Sequence, residues 1–186
     1  MERILESIHA SYAYERGFYG RGIGVAVLDT GIFPHQDLQN KTIYFKDYIK
    51  GRRMPYDDNG HGTHISGIIG AKNDTGRHGV APECSLLGFK VLDRGGNGLI
   101  EDTCRAVEHV IRMNRETPGA VRIINVSVGM TGAARPGQQS RLLEVVEKAW
   151  DSGIVVVAAA GNNGPGENTI TSPGISRKII TVGSID

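Results

Sequence analysis

The sequence predicts an α/β fold, a mainly parallel sheet with helices on both faces, and three observations carry that expectation. Residues 23–28 (Ile-Gly-Val-Ala-Val-Leu) and 85–92 (Ser-Leu-Leu-Gly-Phe-Lys-Val-Leu) are almost continuously apolar, the pattern of strands buried on both faces. Between such runs lie segments with apolar residues at helical spacing, and strands alternating with helices of this length imply βαβ units. Glycine, at 26 of 186 residues, gathers at the ends of the apolar runs and so punctuates the alternation.

In chain order, residues 1–19 place Ile4, Leu5, Ile8 and Tyr12 at weak helical spacing, which predicts a peripheral N-terminal helix before a turn around Gly17 and Gly20. The first core strand follows and ends on Asp29-Thr-Gly-Ile32. A carboxylate at the carboxyl end of a buried parallel strand lies where open α/β sheets build their sites. Residues 33–57 are mixed and aromatic and read as a long loop with a short strand near 42–45. His61 then stands between Gly60 and Gly62 beside an acidic turn, and a helix is predicted from there to about Ala71. Such a helix entrance presents an imidazole as a general base.

The second core strand covers 85–92 and runs into the glycine-rich segment Asp93-Arg-Gly-Gly-Asn-Gly98. Ile100, Cys104, Val107 and Val110 or Ile111 keep helical spacing, so a helix is expected from about Leu99 to Arg115, stopped before Pro118. Further strands are predicted at 121–128, 154–160 and 178–184. A second long helix is predicted at 140–152, with Leu142, Leu143, Val146 and Trp150 inward. The whole reads as one domain over 1–186, with 1–19 as a peripheral segment.

Bulk composition narrows the partners. Hydrophobic residues at 39% and charged residues at 22% are the balance of a folded globular chain. Lys plus Arg is 21 against 20 for Asp plus Glu, so the net charge of +1 gives no electrostatic case for nucleic acid or an anionic membrane. No apolar run reaches the length of a membrane span, and the first residues lack the apolar core of a signal peptide, so a cytoplasmic location is expected, or a secreted one if the chain is a processed form. Cys84 and Cys104 show no ligand spacing and are expected to be buried thiols. His61 and His64 lie one helical turn apart without an HExxH pattern, which argues against zinc. A nucleotide site would need a GxGxxG or GxxxxGK[ST] loop, and the chain has neither.

The chemistry rests on a combination. Taken singly, Asp29 could close the Thr-Gly turn and His61 could be an ordinary turn residue. Together, an aspartate accepting from imidazole Nδ1 would hold the tautomer and leave Nε2 to take a proton from a nucleophile.

Asp29-Thr-Gly-Ile, His61-Gly-Thr-His-Ile-Ser-Gly, Gly79-Val-Ala-Pro82, Asn125-Val-Ser-Val-Gly129 and Ala158-Ala-Ala-Gly-Asn162 resemble, in the same order, the motifs of the subtilisin-like serine peptidases, the subtilases. The resemblance runs from about Gly17 to Asp186 and implies a subtilisin-like three-layer fold and serine endopeptidase activity. It makes Asp29 the catalytic aspartate, His61 the general base and Asn162 the side-chain donor of the oxyanion hole, with Asn163 as the alternative if the register is off by one. It implies that an extended peptide pairs as an added strand between Gly96, Asn97, Gly98 and Ser127, Val128, Gly129. No cofactor is needed for the chemistry. A structural calcium site at Asp37 and Asn73 is also implied, although Arg77 and His78 put a charge and a ring into a loop that should offer carbonyls.

The family's serine lies in a Gly-Thr-Ser-Met-Ala-like segment that this sequence does not contain. Ser172, in Thr-Ser-Pro-Gly, and Ser184, at a strand end, do not match it. The nucleophile is therefore expected beyond Asp186, in cis or on a second chain, and the chain alone is expected to be inactive. The alternative reading is a catalytically inactive subtilase scaffold with a binding or regulatory role.

Overall fold

Alternate residues of a strand face opposite sides of its sheet, and in the first core strand both sets are apolar. In the computed structural model, which describes residues 2–73, 78–129 and 138–184, that strand is β1 (Gly24–Asp29), and every one of its residues is buried. Ala26 and Leu28 enter one hydrophobic cluster, while Val25 and Val27 enter another on the opposite side. Two buried faces require β1 to be central.

The remaining strands are β2 (Thr42–Asp47), β3 (Ser85–Lys90), β4 (Ile123–Val126), β5 (Val155–Ala159) and β6 (Ile180–Val182), all parallel, in the order β2-β3-β1-β4-β5-β6. From β1 the chain goes out to the edge strand β2, comes back to β3 between them, and then crosses to the other side of β1 with β4. The order therefore reverses beside β1, and crevices outside the carboxyl ends of strands at such a point are where α/β sheets bind ligands.

Helices cover both faces of the sheet. On one face α4 (Ile100–Glu116) and α5 (Gln138–Asp151) bury Cys104, Val107, Val110, Leu142 and Val146 against Leu28, Phe89 and Ile124. On the other, α3 (His61–Gly70) packs Ile65 and Ile69 against Val25, Val27 and Leu86. The three-layer α/β expectation holds, and no helix among the described residues is long and apolar enough to cross a membrane. Both cysteines are buried and free, one in each layer of core: Cys84 lies on the α3 side and Cys104 on the α4 side. Burial raises both thiol pKa values, that of Cys104 to about 11.

Differences from the expected elements have local causes. The single N-terminal helix is two short ones, α1 (Glu2–Ser7) and α2 (Ala10–Tyr14), separated at His9, whose φ of 53° is left-handed. Ile4, Ile8 and Tyr12 stay exposed, so no buried stripe holds one straight helix. Tyr14 ties the segment down by stacking on Tyr19 and donating to the Val80 carbonyl at 2.8 Å. The edge strand β2 runs to Asp47, and a 3₁₀ turn at Gln36–Leu38 interrupts the loop before it. Pairing in the 121–128 run is confined to Ile123–Val126.

On α4, His109 sits between two tyrosines: its Nδ1 is 2.9 Å from the Tyr48 hydroxyl and its Nε2 is 3.2 Å from that of Tyr44. Burial, helped by Arg112 and Lys46, holds this imidazole below its usual pKa of 6.5. The unfolded chain therefore binds the proton more readily than the folded one. This stabilising contribution is present above pH 6.5 and is lost as the pH falls through the lower, folded-state value. Urea unfolding midpoints should fall between pH 7.5 and pH 5, and His109→Gln should remove part of that fall.

Candidate active site

Asp29 closes β1 with no exposed surface. A buried carboxylate must find donors or a countercharge, and Asp29 finds the Thr30 N–H at 2.6 Å and the imidazole of His61. His61 Nδ1 lies 2.8 Å from Asp29 Oδ1 and 2.9 Å from Oδ2. The pairing anticipated from the residues is thus present. Asp29 is shut away while half of the His61 side chain, 51%, stays exposed at the first residue of α3. That is the arrangement of an oriented imidazole with one edge held and the rest open to a reactant.

The sequence builds this contact through the turn at 57–63. Asp57 accepts from the N–H groups of Asn59 (3.0 Å), Gly60 (2.9 Å) and Thr63 (2.9 Å) and from the Thr63 hydroxyl (2.6 Å), and so takes two of the free donors of the helix start, while Asn59 Oδ1 takes that of His61 at 3.1 Å. Burial opposes ionisation of Asp57, but these donors outweigh it and hold its pKa below the ordinary range. Thr30 then joins the two halves of the site: its hydroxyl donates to Asp57 Oδ1 and accepts from the Gly62 N–H, each at 2.9 Å. Gly60 takes φ 104°, a conformation that favours glycine. At Gly62 a Cβ would overlap the Gly31 carbonyl and lie 3.0 Å from the Asp29 Cβ, so the absence of a side chain lets the helix start press onto the strand end.

Asp57, Thr30 and Thr63 do not stand out in the sequence. The signal available is an Asp placed shortly before a helix, the pattern of a capping residue. Asp58 points elsewhere, to Lys90 Nζ at 2.7 Å and Lys50 Nζ at 3.2 Å, and the Lys90 hydrogen bond is the main reason its pKa lies at about 2.

The other anticipated residues lie at the same sheet edge. Gly96, Asn97 and Gly98 follow β3, and Ser127, Val128 and Gly129 follow β4, so the two segments flank the Asp29 end of β1. Gly98 has a structural duty of its own, because a Cβ there would overlap the Val91 carbonyl. Asp93 shapes this loop by accepting from the N–H groups of Gly95 (2.8 Å) and Asn97 (3.0 Å). Ser127 accepts from Asn125 Nδ2 at 2.7 Å. Asn162 and Asn163 are exposed and follow β5 through Gly161, where φ is 107°. Ser172 is buried and Ser184 exposed.

Asp37 and Asn73 line one cavity of about 840 Å³ with His35, His64 and His78. The Asp37 carbonyl already accepts from the Lys72 N–H at 2.9 Å. Among the described residues no group of three or more His, Cys, Asp or Glu side chains is placed to hold a metal ion. Asp37 and Asn73 supply one carboxylate and one side-chain amide, so the remaining oxygens around a calcium ion would be carbonyls and waters. Residues 74–77, including Arg77 of the anticipated loop, lie outside the described residues.

Comparison with known proteins matches residues 20–186 to the profile of the Subtilase family. The chain belongs to the subtilase family. This subtilase is 42% identical to the serine protease AprX of Bacillus subtilis (strain 168), an alignment that covers 100% of the chain and 44% of AprX. It is 37% identical to subtilisin DY of Bacillus licheniformis over 96% of the chain and 62% of that protein. It is also 37% identical to the minor extracellular protease Epr of Bacillus subtilis (strain 168), over 88% of the chain and 23% of Epr. The subtilase chain thus spans less than two thirds of the length of each of these relatives.

Gly62→Ala tests the close approach on which the Asp29–His61 contact depends. The added methyl group should cost about 1–3 kcal/mol of stability, the scale of overpacking. It should also displace the imidazole, read as loss of the Nδ1–H···Asp29 proton resonance by NMR.

Proposed function

We propose that this domain supplies the aspartate, base and oxyanion donor of a serine endopeptidase acting on extended peptides. Its serine lies on a segment beyond Asp186, in cis or on a second chain. The observation that carries this reading is the contact between the buried Asp29 and the half-exposed His61, 2.8 Å at Nδ1.

In this reading His61 Nδ1 keeps its proton and donates it to Asp29, so Nε2 is free to accept. As the serine Oγ bonds to the scissile carbonyl carbon, its proton moves to Nε2, and the carbonyl oxygen takes the charge. Asp29 stabilises the resulting imidazolium. The Asn162 amide donates to the oxyanion, with Asn163 as the alternative donor. His61 then passes its proton to the leaving amine, the peptide C–N bond breaks, and a water activated in the same way releases the acid. The loops at 96–98 and 127–129 hold the substrate strand on either side of Asp29. Calcium enters only as a structural ion near Asp37 and Asn73.

The test uses the full-length gene product with a chromogenic peptide and a fluorophosphonate label. Cleavage and labelling are expected, and both should disappear in His61→Ala, by about 10⁶-fold in kcat. Asn162→Ala should cost about 10²–10³-fold. Both figures are those measured for the equivalent groups of subtilisin, a member of this family, and they set the scale of the expected losses. Binding of peptides without cleavage or labelling would instead identify an inactive scaffold.

A further inference from the structure

Lys90 interrupts the apolar run of β3 and is wholly buried. An ammonium without water is stable only if its donors are met and its charge is balanced. Lys90 Nζ has three donors and three close acceptors: the Thr30 carbonyl at 2.5 Å, Asp58 Oδ1 at 2.7 Å and the Leu92 carbonyl at 2.8 Å.

Each acceptor belongs to a different part of the site. Thr30 follows Asp29, and Asp29 and Lys90 are register partners across the β1–β3 ladder. Asp58 lies in the turn that delivers His61. Leu92 opens the 93–98 loop. A methionine would fill the same space in an apolar strand without the cost of desolvating a charge, so packing does not account for a lysine here.

We propose that Lys90 is a positioning residue of the peptidase site: its ammonium pins the Asp29 strand end, the His61 turn and the 93–98 substrate edge to one another. The inference rests on the function proposed above. The charged groups beside it are Asp58 from the His61 turn, itself paired with Lys50, and Asp93 from the 93–98 loop. From the segment before the turn comes Tyr56, whose ring centre lies 5.1 Å from Nζ and which also carries the Arg52 guanidinium at 4.7 Å. Without the Lys90 donors the Thr30 and Leu92 carbonyls and Asp58 lose their common partner, and the three segments are free to separate.

Two variants of the full-length protein, Lys90→Met and Asp58→Asn, test this, with two readouts. The first is the split of kcat/KM into kcat and KM, and the second is the chemical shift of the Nδ1–H proton between His61 and Asp29, read by NMR. Lys90→Met should lower kcat/KM by about ten-fold or more, with KM raised because the substrate edge is no longer pinned, and should shift or abolish the Nδ1–H resonance. Asp58→Asn leaves a neutral oxygen for the ammonium and should move both readouts in the same direction by less. A folded Lys90→Met protein with unchanged KM and an unchanged resonance overturns the proposal, even if its kcat is lower, because that is the outcome of a purely structural lysine. If Lys90→Met does not fold, Asp58→Asn decides, and unchanged readouts there overturn it. If the wild-type protein cleaves nothing, the peptidase reading fails, and the NMR resonance still measures whether Lys90 holds the His61 turn against Asp29.

Discussion

A carboxylate at the end of a strand with two buried faces is the constraint on which the site depends. Asp29 cannot be left to water, so the fold must bring donors to it. It does so by laying the start of α3 across the end of β1, close enough that position 62 does without a side chain, while the glycine at 31 makes room for the Tyr56 carbonyl of the preceding segment. Asp57 and Thr30 then hold the two backbones in that contact from opposite sides. Orientation of the imidazole is thus a result of how a helix start docks on a strand end, and it needs no flexible element.

The sheet order explains why the other candidate residues collect nearby. Because the order reverses beside β1, its neighbours β3 and β4 send their following loops to either side of Asp29, and β5 sends Asn162 from one strand further along. The layers on the two faces have different duties. The α4 and α5 side carries most of the hydrophobic core, and the thinner α3 side carries the chemistry. Asp29 and Lys90 follow Val27 and Gly88 on that second face, where an apolar strand gives way to charge within its last residues.

Much of this is legible in the residues alone. The runs at 23–28 and 85–92 and the spacing of Val107, Val110 and Ile111 mark strands and a helix in the right order, because burial on two faces or on one stripe leaves a periodic trace. Asp29 and His61 are readable because each ends or begins such an element. Thr30, Asp57 and Thr63 are not, since short polar residues in a turn look alike whether they cap a helix or merely face solvent. Lys90 stands in plain view as a lysine inside an apolar strand, but only the positions of two carbonyls and Asp58 give it a role. The break at His9 has no trace at all, because a left-handed residue other than glycine is uncommon and nothing in the local pattern requires it. Gly98 reads from the sequence as a place for substrate approach, and the structure adds a neighbouring carbonyl that excludes any side chain.

The placement of the two thiols makes the protein its own gauge of opening. Cys84 and Cys104 are separated by the full thickness of the sheet, so they cannot bridge each other, and burial disfavours the thiolate that alkylating reagents attack. Each becomes reactive only when its own layer parts from the strands. The labelling rate at Cys84 therefore reports loosening on the side that carries His61, and the rate at Cys104 reports loosening of the main core, so one chemical experiment separates local breathing at the site from failure of the domain.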